Sequence, residues 1–189
     1  MHTHLGDNTY YHVTVPEFIM EPIRDEVFNT ESWDGREYQD RLAGNIKDEF
    51  LLQDCYEDVK HYIENVARKY KGGSYKLADL WVNFMAKHEF NPPHSHGGDL
   101  SFVIFVKVPY KSCDEEKIFP DASAPCAGMF HFMYSDIFGH ISCEQIPVDM
   151  TYENDMFMFP AKLKHGVFPF YTSDEYRITV AGNLVLDNS

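Results

Sequence analysis

Basic side chains are scarce in this chain. There are 16 Lys and Arg against 30 Asp and Glu, a formal net charge of −14. A surface of that sign repels phosphate backbones and anionic headgroups, which argues against nucleic-acid binding through a broad basic face and against a membrane-surface role. A local basic pocket for a small anion stays compatible with it. Cysteine is sparse and unpatterned: Cys55, Cys113, Cys126 and Cys143 form no CxxC and no zinc-type pair. Neither a zinc site nor a disulfide framework is expected, and scattered thiols fit a reducing compartment. No window approaches the roughly 20 apolar residues of a membrane span. The opening stretch, MHTHLGDNTYYH, carries no apolar run of the kind a secretory signal needs. A cytoplasmic location is the expectation. HExxH and GxSxG are both missing, which removes the zinc-protease and serine-hydrolase readings. Repeats, low-complexity tracts and linkers are missing too.

What is present is core-forming material. Hydrophobic residues make up 44% and aromatics 15% of 189 residues, enough for one packed domain over 1–189. The first 75 residues read as a mixed strand and helix lead-in. YYHVTVP (10–16) alternates like a strand, and PEFIMEPIRDEVFN predicts a helix from Pro16 that Pro22 interrupts. QDCYEDVKHYIENVARKYKGG (53–73) is the clearest helix, with Val59, Tyr62, Ile63, Val66 and Tyr70 at three- and four-residue spacing. Acidic residues lie early in it, basic ones late, and Gly72-Gly73 ends it. From residue 76 to 187 the character changes to short apolar or alternating runs: LADLWVNFMAK, LSFVIFVKV, GMFHFMYSD, HISCEQIPV, DMFMFPA and YRITVAGNLVL. Turn residues separate them, and no comparable helix intervenes. The expectation is a mainly β domain, with helices packed on an antiparallel double sheet. Apolar edge strands leave a homodimer open.

The chemistry-bearing residues begin in NPPHSHGGDLSFVIFVKVP (91–109). In an extended segment, His94 and His96 project the same way. Pro92-Pro93 favours extension, and Gly97-Gly98 allows a turn before the apolar strand. Two ligands on one arm need a third, and His165, close behind the strand DMFMFP, is the candidate. The stretch after His165 reads as a loop. Arg177 then starts an otherwise apolar strand. An Arg directed into a barrel needs an anion, and Thr179 at i+2 shares its face, so the two form a carboxylate clamp.

In order, HxH, DLSFVIFV, FPAKLKH and RITVAGN resemble the 2-oxoglutarate/iron(II)-dependent oxygenases, above all a small branch found in bacteria and their phages. LAGNIKDEFLL (42–52) and LWVNFM (80–85) look similar to that branch's lead-in. The resemblance spans roughly residues 40–185 and lies in the ordered combination. It implies a double-stranded β-helix, a jelly roll of cupin type, and the cofactors Fe(II) and 2-oxoglutarate. It implies metal ligation by His94 and His165, and pairing of Arg177, assisted by Thr179, with the distal carboxylate of 2-oxoglutarate. For a phage-encoded chain the location would be the host cytoplasm. The wider family carries HxD, with a carboxylate where His96 stands. Either His96 completes an all-His triad or Asp99 folds back to ligate. The spacing and the branch's HxH favour His96, while the usual two-His, one-carboxylate pattern favours Asp99. A Tyr common in relatives on the strand after HxH is replaced by Ile104 and Phe105, which leaves Tyr134, Asn83 and Asn183 as candidates for that cosubstrate contact. Relatives have Gly before the FP strand. Asn154 stands there and tolerates the same positive φ.

The remaining features read as structural. His131 alternates with Phe130 and Phe132 and is read as packed or solvent-facing. His61, His88 and His140 are read as surface, and Trp81, Phe102, Phe157 and Phe159 as core. DEE (114–116) and YEND are read as solvated loops. Three functions compete: a 2-oxoglutarate-dependent dioxygenase that hydroxylates a substrate and releases succinate and CO2; a cupin-type all-His iron dioxygenase without 2-oxoglutarate; and a non-catalytic jelly-roll module. A deep Arg177 discriminates in favour of the first. Partners are then O2 and a substrate that is a small molecule or a protein side chain, peptidyl proline among them.

Overall fold

The computed structural model describes residues 1–5, 8–39, 43–136 and 138–187. Strands β1 (His2–Leu5) and β2 (Asn8–Thr14) lead into helix α1 (Glu17–Asn29), then β3 (Asp48–Leu51) and helix α2 (Tyr56–Lys71). The rest is β4 (Tyr75–Met85), β5 (Asn91–His94), β6 (Leu100–Lys107), the short helix α3 (Ser112–Glu116), β7 (Phe130–Ser135), β8 (Ile141–Ile146), β9 (Asp155–Pro160), β10 (Lys164–Val167) and β11 (Arg177–Leu186).

Helix α2 forms where the periodicity predicts it. It buries Val59, Ile63, Val66, Ala67 and Tyr70, and ends at Gly72 and Gly73, both at positive φ. Cys55 at its N-cap offers no side-chain cap. The carboxylate of Glu26, on α1, substitutes by accepting the backbone N–H groups of Gln53 (2.7 Å) and Cys55 (2.8 Å). Helix α1 runs through Pro22 rather than breaking there. A proline deletes one intrahelical bond, here the one to the Phe18 carbonyl on an exposed turn. Burial of Ile19, Met20, Ile23 and Val27 against α2 and the sheet outweighs that loss.

The strands form two antiparallel sheets. The larger runs β1-β2-β9-β6-β11-β4-β3 and the smaller β5-β10-β7-β8. Together they are a double-stranded β-helix. The lead-in therefore does more than pack on the barrel, because β1 and β2 extend one edge of the large sheet and β3 the other. Strand β6 is buried from Leu100 to Val106 since both its faces are covered. Phe102, Ile104 and Val106 join the cluster beneath the helices, while Val103 and Phe105 join the cluster between the sheets.

Two tight passages fit their residues. Asn154 takes φ +74° in the turn before β9, as its place there requires. Gly166 lies where a Cβ would stand 2.7 Å from the Asn91 carbonyl, so only glycine lets β10 lie this close to β5. Two acidic segments depart from the solvated-loop reading. Glu115 is fully buried in α3 and accepts the N–H groups of Tyr171 and Thr172. Glu153 accepts the Val108 N–H at 2.9 Å. Each carboxylate stitches one loop to another. Among the described residues the four cysteines are free thiols, and no helix is long and apolar enough to cross a membrane.

Candidate metal and cosubstrate site

The two sheets enclose a cavity of about 60 Å3, several times the space a single water requires. Strand β10 brings His165 directly opposite His94 of β5. The segment after His165 is thus strand rather than loop, because β10 pairs with both β5 and β7. His96, just past β5, is held by its backbone N–H on the Ala161 carbonyl (2.9 Å) and by its ring against Trp81. One nitrogen from each of His94, His96 and His165 lies within 4.8 Å of the others, close enough for one ion.

The protonation states suit ligation. Nδ1 of His94 lies 2.7 Å from the Pro92 carbonyl and Nδ1 of His165 lies 3.0 Å from the Leu163 carbonyl. A nitrogen facing a carbonyl carries the proton, which leaves Nε2 with a free lone pair. Burial holds all three imidazoles neutral at neutral pH: His165 far below its ordinary value, His96 down to about 4, and His94 lowered despite the opposing Pro92 bond.

Asp99 is elsewhere. Its carboxylate accepts the Leu186 N–H at 2.7 Å, and its backbone bonds Leu184 and Ala161. It fastens the turn between the HxH arm and β6 and stands outside the histidine cluster.

Arg177 is 1% exposed and lines the same cavity. Its Nη1 donates to the Tyr110 hydroxyl (2.9 Å) and the Gly128 carbonyl (3.0 Å), while Nε and Nη2 have no partner among the described residues. Glu175, the carboxylate nearest in sequence, pairs with Lys107 instead. A buried guanidinium with unfilled Nε and Nη2 can receive an anion, and its flat fork matches a carboxylate. Thr179 lies beside it on the same face, its hydroxyl accepting Nδ2 of Asn83 at 3.1 Å. Asn83 in turn accepts the Trp81 indole N–H.

Of the other cosubstrate candidates, Tyr134 is not brought to the cavity. It pairs with Ser142 across the β7–β8 hairpin and packs at the margin of the inner cluster. Asn183 accepts the Ser101 hydroxyl at 2.7 Å, two same-face positions beyond Thr179 on β11. The phenol that meets Arg177 is Tyr110, beyond the end of β6, which no spacing in the sequence signals. Trp81 and Phe159 are buried as expected, yet they also line the cavity. His131 is packed, its ring against Phe168. Glu49 and Asn91, also cavity-lining, are further residues that sequence reasoning missed.

Residues 79–183 match the family described as "Putative 2OG-Fe(II) oxygenase". The chain belongs to the 2OG-Fe(II) oxygenases. It is an oxygenase that takes Fe(II) and 2-oxoglutarate and uses O2 with a second substrate. No curated protein matches it in sequence. Solved structures with the same fold include a Pseudomonas putida prolyl-4-hydroxylase, at 9% identity and a TM-score of 0.60, covering 95% of this chain and 93% of that one. They include the epimerase SnoN of nogalamycin biosynthesis in complex with Fe3+, alpha ketoglutarate and nogalamycin RO, at 16% identity and a TM-score of 0.59, covering 93% and 78%. A third is the viral collagen prolyl hydroxylase of Paramecium Bursaria Chlorella virus-1 in its 2OG complex, at 11% identity and a TM-score of 0.51, covering 93% and 94%. At these identities the likeness is one of fold. The residues present fit the cofactors: three neutral imidazoles directed at one point, and an orphaned guanidinium in the same cavity.

Proposed function

We propose that the chain hydroxylates a C–H bond of its second substrate, with release of succinate and CO2. His94, His96 and His165 hold the iron, and Arg177 with Thr179 holds the distal carboxylate of 2-oxoglutarate. The observation that carries this reading is Arg177, a buried cation whose two free N–H groups face the cavity of the three histidines.

When bound, iron and 2-oxoglutarate supply the oxidising chemistry: O2 is split between the cosubstrate, which becomes succinate and CO2, and the substrate, which gains a hydroxyl. The chain's own residues prepare for it. The Pro92 and Leu163 carbonyls fix the His94 and His165 tautomers, so that Nε2 is the ligand. Tyr110 accepts one guanidinium N–H and donates to Gly128, which fixes the fork and leaves its other edge for the cosubstrate. Asn83 orients the Thr179 hydroxyl toward the same carboxylate. Phe130, Phe159, Val103 and Ala181 line the walls, and their apolar surfaces lower the local dielectric, which strengthens the electrostatic contacts within.

The test is succinate formation from 2-oxoglutarate by protein reconstituted anaerobically with Fe(II) and then given O2, for the native chain and Arg177→Ala. Slow succinate formation by the native chain, even without its second substrate, and none by the variant is the expected result. Iron binding with no consumption of 2-oxoglutarate would overturn it and favour the all-histidine dioxygenases, to which the missing carboxylate ligand points.

A further inference from the structure

We infer that the second substrate carries a cationic, hydrogen-bond-donating group, an alkylammonium or a guanidinium, and that Glu49 is the residue that holds it. The inference rests on the oxygenase reading above and names the substrate class of that same site.

Glu49 lies on β3, at the edge of the large sheet. It pairs with Asn83 of β4, which pairs with Thr179 of β11. Cross-strand partners share a face, so the three form one row directed into the barrel. With strands spaced about 4.8 Å apart, Glu49 lies about 10 Å across the sheet from Thr179. It lines the cavity and is 2% exposed, yet its Oε1 has no hydrogen-bond partner among the described residues. Oδ1 of Asn91, in the same cavity, is also without one. An amide oxygen and an ionised carboxylate both accept, so a donor brought into the cavity can satisfy both.

Arg177 does not supply it. The two residues share the cavity, yet neither the unfilled N–H groups of Arg177 nor the unfilled oxygen of Glu49 finds a partner in the other. The cavity thus has two unsatisfied ends of opposite character. The basic end takes the cosubstrate carboxylate, and the acidic end remains for the other substrate. Ala43, Ile46, Trp81 and Met85 line the cavity as well and suit the apolar stem of an alkylammonium or guanidinium group.

Buried carboxyls without donors resist ionisation. Burial, and then the neighbouring Glu89 carboxylate, push the Glu49 carboxyl up to about 8. In the ligand-free protein the group is therefore mostly protonated at neutral pH. A cation that docks there restores the carboxylate and displaces its proton. The other charged or titratable groups in the cavity are His94, His96, His165 and Arg177. At longer range the net charge of −14 draws cations toward the molecule.

The experiment is calorimetric titration of the Zn(II)-loaded protein, with and without 2-oxoglutarate, using probe pairs that differ in charge alone. Suitable pairs are Nα-acetyl-lysine amide against Nα-acetyl-6-hydroxynorleucine amide, and Nα-acetyl-arginine amide against Nα-acetyl-citrulline amide. The charged member should bind about tenfold more tightly or better. It should release a proton, read from buffers of different ionisation enthalpy, and Glu49→Gln should lose both the preference and the proton release. Equal binding of the pairs, binding of neither cation, or a preference that survives in Glu49→Gln overturns the inference. Failure of the oxygenase reading shows separately, as absence of 2-oxoglutarate binding. The titrations without 2-oxoglutarate still report the cation preference.

Discussion

The two faces of the large sheet follow different rules. The outer face meets α1 and α2, and the buried carboxylate of that helical layer, Glu26 of α1, has a full set of partners: Gln53, Cys55 and the Arg36 guanidinium. The inner face meets the small sheet, and its buried charged groups, Glu49 and Arg177, are left with unfilled valences. Both carboxyls are almost fully buried. Their environments drive them in opposite directions. For Glu26, burial alone would raise the pKa, but the backbone donors of Cys55 and Gln53 bring it below the ordinary value. For Glu49, burial acts without any donor. A polar group that holds the fold together is satisfied within the chain, whereas one that awaits a ligand is not. On the proposed reading, the difference separates structural from functional charge.

The comparison can be broken most sharply at the metal. His96→Ala is expected to abolish stoichiometric iron binding, measured as metal content after reconstitution, while leaving the melting temperature of the metal-free protein nearly unchanged. On the outer face the largest effect should be on stability. Glu26→Ala strands two backbone N–H groups and leaves the Arg36 cation with Asp54 alone, so chemical denaturation should show a loss of about 2–4 kcal/mol. Iron content should be unaltered under conditions where the variant is folded.

The pH dependences of the two carboxyls should have opposite signs. A carboxyl with a lowered pKa, as at Glu26, stabilises above its unfolded pKa, and that contribution is lost as pH falls through the folded value. A carboxyl with a raised pKa, as at Glu49, favours the folded state fully below its unfolded value, and the contribution is lost as pH rises toward about 8. Glu49→Gln should therefore flatten the fall in stability of the metal-free protein between about pH 5 and 8, a fall of at most about 1.4 kcal/mol per pH unit for one proton. Thermal unfolding across that range reads it directly. The smallest effect belongs to Asp99→Asn. The amide oxygen can still accept the Leu186 N–H, so stability should change by about 1 kcal/mol or less, with iron content intact. Loss of iron in this variant would return the carboxylate to the ligand set.

Much of this arrangement was legible because it rests on local pattern. The alternation and apolar runs of β4, β6, β9 and β11 announce the double sheet, and the spacing of Val59, Ile63 and Val66 announces α2. The histidines could be read because HxH and the later His165 each sit beside a strand. Arg177 could be read because a charge opens an apolar run. What escaped depends on distant chain crossings. Tyr110 follows β6 with no motif, and reaches Arg177 only because loop and barrel close around it. Glu49 belongs to a four-residue strand whose register with Asn83 no periodicity encodes. Pro22 reads as a break in the sequence because the burial that keeps α1 whole comes from α2, more than thirty residues away. Tyr134 is a reasonable candidate by type and shares the inner face of β7 with Phe130 and Phe132, but it lies farther along the strand, at the margin of the inner cluster and outside the cavity.

The central claim is that the inner face holds an anionic cosubstrate through Arg177. The most direct measurement is the affinity of 2-oxoglutarate for the Fe(II)-loaded protein under anaerobic conditions, by calorimetry, for the native chain and Arg177→Met. The account predicts a saturable site in the native chain and an affinity at least about thirtyfold weaker in the variant, the scale expected when one partner of a buried charged pair is removed. Equal affinities, or no binding by the native chain, would contradict it.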